Sequence, residues 1–146
     1  MERAHDGVDL ETSIGYLLKE ASSALRVAME AVLRPLGMTI THYSCLELLG
    51  QRPGLSNSEL ARGAFVSRQS MNVLLQALER DGLVTRPDEA PVGKVLPTRL
   101  TPAGRRALGT ATVAVRSVEE RMLAGMSTED RAAARRLLST LADALG

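Results

Sequence analysis

The 146-residue chain has a single cysteine, Cys45, and only two histidines, His5 and His42. A lone thiol excludes an internal disulfide framework and a paired-thiolate metal site, and it fits a reducing cytoplasm. The histidines are far apart, so no His-Glu-x-x-His zinc motif exists, and no glycine-rich phosphate loop is present. Ser67 has no histidine near it in sequence to activate it as a nucleophile. No catalytic residue, metal ligand or cofactor is therefore nominated. No apolar run is long enough to cross a bilayer, and Met1-Glu2-Arg3-Ala4-His5-Asp6 lacks a signal-peptide pattern, so no membrane role is expected.

What remains is an ordinary globular composition, 45% hydrophobic and 24% charged, at a length that suits one domain spanning 1–146. The net charge of +1 conceals an uneven distribution. Residues 1–51 carry 4 basic and 7 acidic side chains, net −3, whereas residues 52–106 carry 9 and 5, net +4. Residues 107–146 hold 5 of each. The positive segment is where a polyanion would be met.

That segment also holds the most informative pattern. Ser56 and Glu59 form a capping box that starts one short helix, and Leu55 with Leu60 takes the staple positions around it. Ser67 caps a second helix, with Val66 and Met71 as its staple. Two helix starts so close together predict a helix-turn-helix, whose second helix commonly enters the DNA major groove. Met71, Leu74, Leu75 and Leu78 make that helix's buried stripe. Ser67, Arg68, Gln69, Ser70, Asn72 and Gln76 fall largely off the stripe, and such side chains hydrogen-bond base edges or phosphates. A polar outer face alone would be unremarkable. Its flanking elements give it meaning.

Asp81-Gly82 stops the helix. Leu83–Arg86 and Val95–Leu100 then read as the two strands of a hairpin, with Pro97 marking an edge or a kink. Its tip, Pro87 to Lys94, is rich in turn formers and ends on a cation. A hairpin after a recognition helix is a wing. Ser56, Asn57, Arg86, Lys94 and Arg99 are expected mainly to hold the DNA backbone. Thr101 and Pro102 cap and open the next helix.

The flanks read as association helices. Ile14, Leu18, Ala21, Leu25, Ala28 and Val32 recur at heptad spacing until Pro35 and Gly37 end the helix. Leu108, Ala111, Val115, Val118 and Met122 repeat the pattern. Ser127 caps a last helix whose apolar face is Leu137, Leu138, Leu141 and Leu145. These stripes exceed what a compact winged module can cover, so a two-fold homodimer reading a pseudo-palindromic double-stranded site is expected. The fold class is mainly α with a small two-stranded β-wing. Dimerisation helices at about 8–36 and 102–145 flank a winged module at about 39–100.

The runs Val66-Ser67-Arg68-Gln69-Ser70-Met71-Asn72, Leu78 to Val84 and Leu100-Thr101-Pro102-Ala103-Gly104-Arg105 resemble the MarR family of bacterial winged helix-turn-helix regulators. The chain departs from the family at Val92-Gly93-Lys94, where an Asp-x-Arg pair is usual, and at Val73, where an arginine is frequent. The resemblance implies intertwined chain ends, transcription regulation as a repressor or an activator, and a small aromatic or phenolic effector near the junction of dimerisation helices and reading heads. Tyr16, His42, Tyr43 and Cys45, with Arg121 as an anion partner, are the candidates to line that pocket. A staple position opposite Ile40, on a helix from Thr41 to about Gly50, suits Cys45 to packing instead. Two alternatives stay open: a thiol-based redox regulator acting through Cys45, and a helical dimer with a scaffold role.

Overall fold

A computed structural model describes residues 7–87 and 96–146. Among them, six α-helices and one two-stranded antiparallel sheet follow the order α1 (Ile14–Leu33), α2 (Ile40–Gln51), α3 (Asn57–Gly63), α4 (Arg68–Arg80), β1 (Val84–Thr85), β2 (Arg99–Leu100), α5 (Pro102–Leu123) and α6 (Thr128–Leu145). This is the mainly helical winged architecture expected. A 3-10 turn, Arg34–Leu36, separates α1 from α2.

Local chemistry sets the boundaries. Ser13, Thr39, Ser56, Ser67, Thr101 and Ser127 each cap a helix by accepting a hydrogen bond from a backbone N–H of the first turn. At Ser56 the box is reciprocal: its Oγ accepts from Glu59 N at 3.2 Å, and Glu59 Oε1 accepts from Ser56 N at 3.1 Å. Helix α2 begins one residue earlier than its sequence suggests, because Thr39 is the cap. The staple positions there are consequently Met38 and Tyr43 rather than Ile40 and Cys45.

Cys45, Leu46, Leu49, Leu60, Ala61, Met71, Leu75, Leu78, Val84 and Leu100 form one core, drawn from α2, α3, α4 and the sheet. Each fully buried leucine or methionine adds roughly 1.5–3 kcal/mol of apolar transfer. The expected stripe on α4 holds, with Met71, Leu75 and Leu78 buried and Leu74 packed against them.

The hairpin is shorter than predicted. Its ladder consists of Val84 opposite Leu100 and Thr85 opposite Arg99. Thr98 pairs instead with Leu55, donating its N–H to the Leu55 carbonyl at 3.0 Å. The chain entering α3 thus acts as a third edge, a long-range pairing invisible in local pattern. Residues 88–95, which hold Val95, Lys94 and the rest of the tip after Pro87, lie outside the described residues.

One junction welds the wing to α5. Thr101 Oγ1 accepts from Gly104 N at 3.0 Å and donates its own proton to the Gly82 carbonyl at 2.6 Å. Thr101 N also donates to the Leu83 carbonyl at 3.0 Å. Gly104 is required there, because a Cβ would collide with the Leu83 carbonyl oxygen. The Leu-Thr-Pro-Ala-Gly run is therefore a joint between a turn and a helix.

The flanking helices are different. α1 buries only Leu33, and α6 buries nothing. Arg131 fixes the corner between α5 and α6 by donating to the Leu123 carbonyl at 2.8 Å and the Met126 carbonyl at 3.1 Å. No helix among the described residues is long and apolar enough to cross a membrane.

Candidate nucleic-acid interface

Helices α3 and α4 meet through Ala64-Phe65-Val66-Ser67. Phe65 N donates to the Arg62 carbonyl and Val66 N to the Ala61 carbonyl, closing the end of α3 in a Schellman motif. Phe65 takes the left-handed position of that motif, at φ 59°. The Ser67 hydroxyl then accepts from Ser70 N at 3.0 Å and donates to Ser70 Oγ at 3.0 Å, so α4 starts abruptly. Its far end closes by the same motif, with Gly82 at φ 75°.

Between these ends the stripe turns inward and leaves Ser67, Arg68, Gln69, Ser70, Asn72, Val73 and Gln76 exposed on α4. Among the described residues, none of the Arg68, Gln69, Asn72 and Gln76 side chains makes an internal hydrogen bond or ion pair. Donors and acceptors at the start of an exposed helix, next to its cap, have the placement that base-edge reading requires.

The residues expected to hold the backbone divide. Ser56 commits its hydroxyl to the α3 cap, and Asn57 Oδ1 is buried without a partner among the described residues. Arg86 departs from expectation. Its guanidinium donates to Glu79 Oε1 at 3.2 Å and its side chain is only 13% exposed, so it braces β1 against α4. Arg99 is exposed but stands apart from the α4 face, where it lines a cavity between α2, β2 and α5. Lys94 lies outside the described residues.

The expected effector set also divides. Tyr16 and Arg121 do meet, in a shallow groove along α1. Cys45 belongs to the winged core, and burial pushes its thiol up to about 12. His42 is half-buried, with Nε2 unpartnered; burial lowers its pKa, against a smaller opposing pull from Asp81. The Tyr43 hydroxyl donates to Glu47 Oε2 at 3.4 Å, and burial followed by the Glu47 charge raises its pKa.

Sequence reasoning missed the cavity of about 670 Å³ that Arg99 enters. Arg105, Thr112 and Arg116 line it from α5, Glu47 and Gln51 from α2, and Leu49, Leu100 and Leu108 supply apolar wall. Arg105, Thr112 and Arg116 fall at helical spacing, and that polar stripe on α5 was the available signal. Three guanidiniums around a partly apolar hollow suit an anion with an apolar body.

Fold and site together define a winged helix-turn-helix protein with an exposed polar recognition helix. The sequence model of the MarR family matches residues 36–94. The HTH-type transcriptional repressor Rv2887 of Mycobacterium tuberculosis is 39% identical over 135 residues, covering 92% of this chain and 97% of its own. Its crystal structure in complex with DNA superposes with a TM-score of 0.74 at 38% identity, over 89% of this chain and 98% of that one. Its complex with salicylic acid gives 0.72 at 39% identity, over 93% and 98%. CouR of Rhodococcus jostii RHA1, bound to a 23-mer DNA duplex, gives 0.82 at 28% identity, over 97% and 99%. The chain belongs to the MarR family of transcription regulators.

Proposed function

We propose that this protein is a homodimeric, sequence-specific transcriptional repressor without enzymatic activity, whose hold on DNA is set by a small aromatic or phenolic anion. The observation that carries the reading is the exposed face of α4, with Arg68, Gln69 and Asn72 unengaged beside the Ser67 cap. Its relative Rv2887 has been crystallised with DNA and with salicylic acid, which supports both halves. Ser67, Arg68, Gln69, Ser70, Asn72 and Gln76 meet bases or adjacent phosphates, and Ser56, Asn57 and Lys94 position the backbone.

A dimer is supported by apolar residues that the single chain leaves in solvent: Leu18 and Leu25 on α1, and Leu137, Leu138 and Leu141 on α6. The anion sits in the α2–α5 cavity, its charge among Arg99, Arg105 and Arg116, or in the groove of Tyr16 and Arg121. It changes DNA affinity only by its differential affinity for two separations of the reading heads. A redox switch through Cys45 is disfavoured, since a buried thiol with a raised pKa holds little thiolate.

The test is a salt titration of full-length protein on a DNA site selected from a random pool and on random duplex. Gln69→Ala or Asn72→Ala should reduce the preference for the selected site, each paired contact being worth roughly 1–3 kcal/mol. Lys94→Ala should weaken both duplexes alike and lower the salt slope by about one. Unchanged affinity of the α4 variants for the selected site would remove the reading.

A further inference from the structure

The chain closes three turns with a left-handed residue in the same pair of hydrogen bonds: Gly37 after the 3-10 turn, Gly82 after α4, and Phe65 after α3. Glycine takes that conformation without penalty, whereas a bulky side chain is strained in it. Phe65 is the chain's one phenylalanine, and it is 94% exposed. It therefore loses on both counts within its own fold, with a strained backbone and a ring in water. What offsets this must lie outside the chain.

The surroundings say what covers it. Phe65 lies two residues before the cap of α4, close in sequence to the exposed Arg68 and Gln69. Arg62 and Arg68 stand exposed on either side in sequence, and no acidic residue occurs between Glu59 and Glu79. A cation-flanked ring suits a polyanion with an apolar feature better than another protein's apolar surface. In the major groove, the apolar feature that distinguishes bases is the thymine 5-methyl group.

We infer that Phe65 is a specificity-determining residue that packs its ring on a thymine methyl in each half-site. The inference rests on α4 being the reading face. It adds apolar readout to hydrogen-bonded readout, at a position where glycine would have served the turn better.

The experiment uses full-length protein and a duplex selected by the wild type, in which each thymine is replaced in turn by uracil. One symmetric pair of positions should weaken wild-type binding about fourfold per methyl removed, the effect of one lost buried methyl group. Phe65→Gly and Phe65→Asn, both of which accept the left-handed backbone, should bind the thymine site about sixteenfold less tightly, the two half-site contacts together, and be indifferent to uracil at those positions. Their melting temperatures should equal or exceed that of the wild type, which separates lost reading from lost folding. Indifference of the wild type to uracil everywhere would overturn the inference, as would sensitivity that persists in both variants. Sensitivity that vanishes instead in Val73→Ala would assign the methyl contact to the other exposed apolar side chain of this face and overturn it too. A wild type that prefers no site over random duplex would remove the reading of α4 itself, a distinguishable result.

Discussion

The winged module and the helices around it spend the same kind of residue in opposite ways. In the module, leucines from α2, α3, α4 and β2 converge on one another, and Leu46, Leu60 and Leu75 are fully buried. On α6 the leucines recur as regularly, yet Leu137 and Leu138 are half in solvent and Leu145 is 93% exposed. The periodicity is equal; the partner is not. A stripe closes within the chain only where turns bring a second stripe to face it. Helix α1 lies against α5 yet still leaves Leu18 and Leu25 in solvent, and no second stripe faces α6 among the described residues. The module is thus a finished fold, whereas α1 and α6 present half of one.

The sharpest way to break this contrast is to charge the unfinished half. Replacing Leu18 and Leu25 with Lys should abolish dimerisation while leaving the module's core intact. Losing the second reading head should cost more than about a hundredfold in affinity for a two-fold site. Sedimentation velocity and fluorescence anisotropy check the two effects together, and a wild-type monomer at micromolar concentration would contradict the premise.

Two glycines of α5 test the joint between the halves. Gly104→Ala should destabilise by about 3 kcal/mol, because the new Cβ meets the immovable Leu83 carbonyl. Gly109→Ala, with open space around it, should stabilise by about 0.8–1 kcal/mol through helix propensity alone. Urea unfolding of both variants measures opposite signs on one helix.

Within the module, Cys45 supplies a pH signature. Its thiol ionises near 9.0 when unfolded and near 12 when folded. The unfolded chain therefore loses the proton first, and between these values stability should fall as pH rises, by about 1.4 kcal/mol per pH unit for this group. Cys45→Ala should lose that slope, and the native thiol should resist maleimide at neutral pH.

The smallest effect belongs to the α3 cap. Ser56→Ala should cost about 1 kcal/mol at neutral pH. Hydrogen bonds from Ser56 hold the Glu59 carboxyl below its ordinary 4.5, so the box contributes above that pH and is lost as pH falls through the folded value. The variant's deficit should accordingly shrink in acid.

Features that depend on neighbours in sequence were legible without coordinates: the caps at Ser56, Ser67, Thr101 and Ser127, the stripe of α4 and the polar face opposite it. Features that depend on folding were not. Arg86 reads as a free cation until β1 brings it to Glu79. Thr98 reads as part of a hairpin until the loop before α3 takes its N–H. Tyr16 and Tyr43 look equally suited to a pocket, but α1 carries Tyr16 to a groove whereas α2 turns the Tyr43 hydroxyl to Glu47. Phe65 was hidden for another reason, since the usual sign of a left-handed turn is glycine or asparagine. The cavity arginines needed α2 and β2 in place before their stripe on α5 faced anything.

The joint at Thr101 and Gly104 has a mechanical meaning. With the wing's first turn hydrogen-bonded to the start of α5 and backbone in contact with backbone, little slack separates dimer arm from reading head. Helix α5 spans 22 residues, a shaft of roughly 33 Å. A tilt of about 5° at its far end would swing the head by roughly 3 Å, close to the spacing of successive base pairs along one strand. Force applied among Arg105, Thr112 and Arg116 would act along that shaft between its far end and the head, so a displacement there is carried into a change of register on a fixed two-fold site.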